Sequence, residues 1–448
     1  MNTLKAGFGR VDFTPPLGIH INGYFVDRYA EEILDPLEIN CLILECAGTK
    51  VALIAVDNMG IHRDILDSVR AEISVRTGLP VEAVFVHTTH SHTCGSVMMS
   101  KDGPIEREYK ELFSVRMVEA VKLAIDDLKP ARMGFGTGVA PNIAFSRRYR
   151  MKDGSVRTNP GVNNPDILAP IGTVDERVGV LRFDRDGADT LVLMNFGMHP
   201  DCVGGNRISA DWPGFARRTV ELALPGTKAV LFNGAEGEIN HVNTAPKGGD
   251  MNNLFMDFDD VARGYGYSRY LGRVIAGAVL QTYDRVEYVD VDQVSVAQKM
   301  IRVPSNMPMA EQMPQAHRYK ELHEAGCDDQ IPYTGMQLTT VVAEALRMCR
   351  LEFGPEYFEM PLTAVSVGNV AIVGIPGEPF SGVGFGLKAA DGWDMVLPVC
   401  NTNSREGYFP MRDCYEEGGY ETRSSNFKAG VGELLIRESQ ALLAALRN

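Results

Sequence analysis

The chain has 448 residues, of which 45% are hydrophobic and 23% charged, the balance of an ordinary globular protein long enough to bury a substantial core. Its formal charge of −14 argues against nucleic acid and anionic membrane surfaces as partners. The eight cysteines form no CxxC pair and read as reduced thiols.

The opening AGFGRVDFTPP reads as a strand that turns into a rigid loop at Pro15-Pro16. It contains no signal-peptide core, and no uninterrupted apolar run reaches membrane-span length, so a cytoplasmic protein without stable membrane association is expected. Residues 38–46 and 50–57 read as strands, the second (VALIAVD) apolar enough to be covered on both faces. A helix follows over 62–77, with Ile65, Leu66, Val69 and Ile73 as its stripe and Gly78 and Pro80 as its stop. With strand 82–87 this makes a βαβ unit.

That strand runs into His87-Thr88-Thr89-His90-Ser91-His92-Thr93-Cys94-Gly95, which holds three of the nine histidines. Alternate residues of an extended backbone share a face, so His90 and His92 are expected to point into one cavity. A helix over 106–128, with Leu112, Val118, Val121, Ile125 and Leu128 inward, precedes a strand-rich region at 131–183. Composition alone reads the basic run Phe145-Ser146-Arg147-Arg148-Tyr149-Arg150 as a solvated face.

Strand 190–197 leads to His199, and Asp211 is a candidate N-cap for a helix to about 223. Strand 228–234 leads to Glu238 and His241, a helix covers about 262–283, and residues 285–300 read as strand. A helical stretch over 308–353 is broken near 326–335. Strand 363–375 ends at Glu378, an aromatic and polar stretch covers 403–425, and a helix covers 428–447. With no repeat and no linker, the expectation is one domain over residues 1–448. Its fold class is α/β, with a mixed, largely parallel sheet, flanking helices and an active site at the C-terminal ends of strands.

Several strands thus end in groups able to bind metal or move protons: His90 with His92, His199, Glu238 with His241, and Glu378. A catalytic zinc site takes about three such ligands and keeps one position open. Spacing leaves two readings, a His/His/carboxylate zinc site or a set of hydrogen-bonded loop histidines.

Five dispersed stretches, in order, resemble the catalytic domain of the neutral/alkaline ceramidase family. They are AGFGRVDFTPP, TTHSHTCG, MHPDCVGGNRISADWPG, the PGE at 376–378 and GYFPMRDCYEEGGYE at 407–421. The resemblance implies zinc held by His90, His199, Glu378 and Tyr408, with His92 either supporting the ligands from behind or acting as an acid/base, and Tyr420 near the scissile carbonyl. It also implies an arginine in the 145–149 segment, Arg147 or Arg148, with a slightly better fit for Arg147. Two departures stand out. Gly237-Glu238-Ile239-Asn240 replaces the family's serine with Asn240, which can donate a hydrogen bond to an oxyanion but is no nucleophile. The resemblance covers the catalytic domain only, and the expectation is a chain without the family's further β-sandwich domain.

The expected activity is therefore hydrolysis of an amide, ester or lactone of a small polar substrate by zinc-activated water. The polar loops at 241–253 and 403–425 would shape the pocket. A true ceramidase and a non-catalytic zinc- or ligand-binding member are the alternatives. A homo-oligomer is a common state for an acidic chain of this size.

Overall fold

The computed structural model describes residues 3–97, 103–247 and 264–447. Two sheets packed face to face organise the molecule. The larger has nine strands. Seven of them are hairpin-linked or run antiparallel through Lys5–Asp12, Glu38–Cys46, Thr49–Val56, Lys129–Val139, Arg177–Arg185, Thr190–Phe196 and the side strand Glu287–Val289. Val84–Thr88 and Thr227–Asn233 add at the two edges, parallel to Thr49–Val56 and Thr190–Phe196. The smaller sheet joins Val294–Pro304, Tyr357–Val367, Val370–Gly374 and Met395–Val399, the last pair parallel.

The expected βαβ unit is present, with helix Arg63–Thr77 between two parallel strands. The mixed sheet and its flanking helices are as expected, but the pairing is mostly antiparallel rather than largely parallel. Short turns are the reason. Ala47-Gly48, at φ 51° and 83°, closes one hairpin, and Gly368-Asn369 splits the expected strand 363–375 into another.

Leu42, Leu44, Val51, Leu53 and Phe85 of the large sheet meet Val365, Val367, Ile372, Leu397 and Val399 of the small one in a common core. Helices Arg63–Thr77 and Pro104–Asp126 cover the first half of the outer face of the large sheet, and Asp211–Ala223 and Tyr265–Tyr283 cover the second. Ser381–Lys388 and Val431–Leu446 cover the outer face of the small sheet. No described helix is long and apolar enough to cross a membrane.

Two sequence expectations about helices shift. In Pro104–Asp126 the buried stripe is Tyr109, Phe113, Met117, Ala120, Val121 and Ala124, and Leu112, Val118, Ile125 and Leu128 are only partly buried. Gly7 and Gly9 admit the helix this closely: a Cβ on either would lie 2.1 Å from the carbonyl oxygen of Ala124 or Ala120. Asp211 is the first helical residue, not the cap. At φ 53° its carboxylate accepts the backbone N–H groups of Cys202, Val203 and Trp212 and the hydroxyl of Ser268.

Candidate metal centre

The two sheets are stitched at one end by the segment after Met395–Val399. Asn401 O accepts Thr88 N–H, Asn403 N–H donates to Val86 O, and Cys400 N–H donates to Asn233 O. Around this seam, residues following five strands converge. His90 follows Val84–Thr88, His199 follows Thr190–Phe196, Glu236 follows Thr227–Asn233, Glu378 follows Val370–Gly374 and Asn401 follows Met395–Val399.

His90 does not lie on extended backbone. Its φ is 74°, a conformation that L-residues seldom adopt outside well-braced sites. The bracing is visible: its backbone N–H donates to Asn58 O at 2.8 Å, and its Nδ1 lies 2.7 Å from Met59 O. With the Nδ1 proton on that carbonyl, Nε2 presents a lone pair to the interior. His92 still reaches the same space through the turn, its Nε2 3.3 Å from His90 Nε2. Its Nδ1 is 3.7 Å from Asp201, which also accepts the Tyr24 hydroxyl. Burial pushes the His92 imidazole well below its ordinary value, with Asp201 opposing.

His199 is oriented in the same way. Its Nδ1 is 2.8 Å from Glu236 O and also pairs with the Glu236 carboxylate, so Nε2 faces inward. The Nε2 atoms of His90 and His199 each lie 3.4 Å from one oxygen of Glu378, Oε2. Neither His199 Nε2 nor Glu378 Oε2 has a hydrogen-bond partner among the described residues. Ligand atoms of His90, His199, Glu236 and Glu378 lie within 4.8 Å of one another, as do those of His90, His92 and His199. Glu236 is the member that the sequence reading misses. Glu238, two residues on, turns away and accepts the N–H of Ser381 at 3.0 Å and its hydroxyl at 2.6 Å, capping helix Ser381–Lys388. Burial raises its carboxyl to about 7. His241 also lies outside the cluster, with its ring against Tyr267.

Tyr408 is brought beside Glu378 by backbone pairing, since Glu378–Pro379 and Tyr408–Phe409 form a parallel two-residue ladder. The Tyr408 ring is 6.4 Å from that of His199 and 5.7 Å from that of Tyr420. Burial pushes both phenols up, Tyr420 to about 12, while the Arg147 guanidinium opposes the shift.

Arg147 and Arg148 are 7% and 1% exposed, so the basic run is not a solvated face. Neighbours on extended backbone point to opposite sides. Arg147 lies 5.4 Å from the Tyr408 ring and 6.0 Å from the Tyr420 ring, anchored by Glu421 at 2.6 Å and Gly237 O at 2.6 Å. Arg148 faces away, onto Phe380, Cys414, Glu417 and Gly418 O. Asn240 is tied into local structure: its carbonyl accepts Val242 N–H and its amide donates to Asn159 Oδ1, both at 3.0 Å. Of the loop expected at 241–253, residues 248–253 lie outside the described residues.

No family model matches the chain, and no curated protein matches its sequence. Solved structures do match its fold. The crystal structure of neutral ceramidase from Pseudomonas aeruginosa aligns with all of this chain and 75% of its own, at a TM-score of 0.74 and 17% identity. A ceramidase complexed with C2 aligns with all of this chain and 76% of its own, at 0.73 and 16%. The chain has the fold of the neutral ceramidases.

Proposed function

We propose that the chain is a zinc-dependent hydrolase acting on an amide, ester or lactone bond of a small polar substrate. One observation carries the reading: two inward imidazole nitrogens meet one carboxylate oxygen in a buried space, and that oxygen has no hydrogen-bond partner within bonding distance among the described residues. A buried polar atom left unpaired costs roughly 1–3 kcal/mol, and a divalent cation among these atoms removes that cost. Two imidazoles with a carboxylate and a phenol suit zinc. The proposed ligands are His90, His199, Glu378 and Tyr408, with Glu236 orienting His199 from behind. Zinc in such a site lowers the pKa of a water and polarises a carbonyl.

The chain's own groups supply the rest. His92, kept neutral by burial, accepts and returns a proton beside His90. Arg147 and Tyr420 face the same side and steady negative charge developing on the carbonyl oxygen. The Asn240 amide, which gives one hydrogen to Asn159, is proposed to offer its second to the same oxygen. A ceramidase activity is the second reading, favoured by the shared fold alone. Release of a fatty acid from an N-acyl sphingoid substrate would establish it.

The test is the metal content of protein purified without added metal, for the parent and His199→Ala in parallel. The expected result is about one zinc per chain, falling sharply in the variant. A parent that holds no zinc even after titration would end the reading.

A further inference from the structure

A cavity of about 320 Å³ adjoins Tyr420, has no histidine in its lining, and lies between residues 156–161 and the first turn of helix Gly335–Leu351. This volume is at the lower end of small-molecule sites. Its wall is bonded to the candidate centre. Thr158 Oγ1 donates to Glu421 Oε2 at 3.0 Å, and Glu421 Oε1 accepts Arg147 Nε. Asn159, on the same wall, accepts the amide of Asn240. Tyr420 itself lines the cavity, so a group held there lies against the residue that the hydrolase reading sets beside the reacting carbonyl.

The lining carries two guanidinium groups, Arg157 and Arg423, and no carboxylate. On a chain of formal charge −14 that is a local reversal. Counter-charges stand outside the lining. Asp153 holds one Nη of Arg157 at 3.2 Å, and Glu344 holds Nε and Nη2 of Arg423. Arg157 Nε remains buried without a partner among the described residues. Gln337 and the uncapped first-turn N–H groups of the helix add further donors. A lipid chain would leave these donors dry and unpaired, whereas a carboxylate would satisfy them.

We propose that this cavity selects substrates bearing a carboxylate remote from the scissile bond, with Arg157 and Arg423 as its recognition groups. The proposal rests on the hydrolase reading for its substrate but not for its anion site, and the test separates the two. Glutarate binding is measured by calorimetry on full-length, chelator-treated protein, as parent, Arg157→Gln and Arg423→Lys. In parallel, the zinc-loaded parent and Arg157→Gln are assayed on dicarboxylic mono-4-nitroanilides from succinyl to suberyl and on their methyl-ended neutral counterparts.

The expected results are saturable glutarate binding, weakened at least fivefold by Arg157→Gln, and a tenfold or greater kcat/KM preference for an acidic anilide that shrinks in the variant. Absence of glutarate binding, or binding unchanged by both substitutions, overturns the anion site even if anilides are cleaved. So does cleavage without charge preference. Glutarate binding that depends on Arg157, with no anilide cleaved, upholds the site and counts against the hydrolase reading. Arg157 is partly exposed, so its variant is expected to fold even if Arg423→Lys does not.

Discussion

Asn233 and His87 hold each other in place: the Asn233 backbone N–H donates to His87 Nε2 at 3.0 Å, while His87 Nδ1 donates to Cys400 O at 2.7 Å. The Asn233 side chain then binds Thr89 O, Met198 O and Met198 N–H, joining the segments that carry His90 and His199. Both nitrogens of His87 are thus committed in the neutral form, and burial lowers its pKa to about 3. The unfolded chain takes up a proton at this position near pH 6.5, and the folded chain refuses it. The stability held by His87 is complete above pH 6.5 and falls by about 1.4 kcal/mol per unit as pH drops toward 3. His87→Gln can keep both bonds without titrating. The stability gap between parent and variant, from denaturant midpoints, is expected to close by about 3 kcal/mol between pH 6.5 and 4. A gap independent of pH would mean that His87 is open to protonation in the native state.

The contact of strand Lys5–Asp12 with helix Pro104–Asp126 depends on missing side chains. Gly9→Ala drives a Cβ into Ala120 O and Ala124 N, at 2.1 and 2.8 Å from ideal placement. The helix must move, at an expected loss of about 3 kcal/mol. Gly277 lies in a helix with nothing within 4 Å of its added Cβ, and Gly277→Ala is expected to gain about 0.5–1 kcal/mol. Thermal unfolding of the two variants checks both signs.

These glycines show where sequence reading ends. Helix Pro104–Asp126 was legible as a helix from its period, but its buried face was not. Ala120 and Ala124 win over larger aliphatics only because Gly7 and Gly9, more than a hundred residues away, leave room. Strand Met395–Val399 was missed because five residues with an internal proline carry little local signal. The candidate site was more legible, since a polar residue after an apolar run marks a strand end, as at His90, His199 and Glu378. Glu236 and Glu238 follow the same strand, and only the path of the chain through Gly234-Ala235 decides which one reaches His199. The parallel ladder that sets Tyr408 beside Glu378 joins segments thirty residues apart, and periodicity carries no trace of it.

The same pair of glutamates gives a direct metal test. Glu236 pairs with His199 Nδ1, and loss of such a partner weakens metal binding by about 10–100-fold. Glu238 caps a helix, and its raised pKa makes an uncharged replacement mild. In chelator competition, Glu236→Gln is expected to lower zinc affinity within that range and Glu238→Gln to leave it nearly unchanged. Equal effects would show that Glu236 does not act through His199.

Arg147 and Arg148 are adjacent, both buried and both ion-paired, yet they face opposite ways. Lysine keeps the charge at either position but loses the planar fork. At Arg147 the fork spans Glu421 and Gly237 O beneath Tyr408 and Tyr420. Arg147→Lys is expected to lower kcat/KM by about a hundredfold, mainly through kcat, if the guanidinium steadies the oxyanion. At Arg148 the fork holds Cys414, Glu417 and Gly418 O, away from the tyrosines. Arg148→Lys is expected to cost about 2–3 kcal/mol of stability and to leave kcat near the parent value. Turnover and denaturant midpoints of both variants decide the matter, and a kcat loss confined to Arg148→Lys would reverse the assignment.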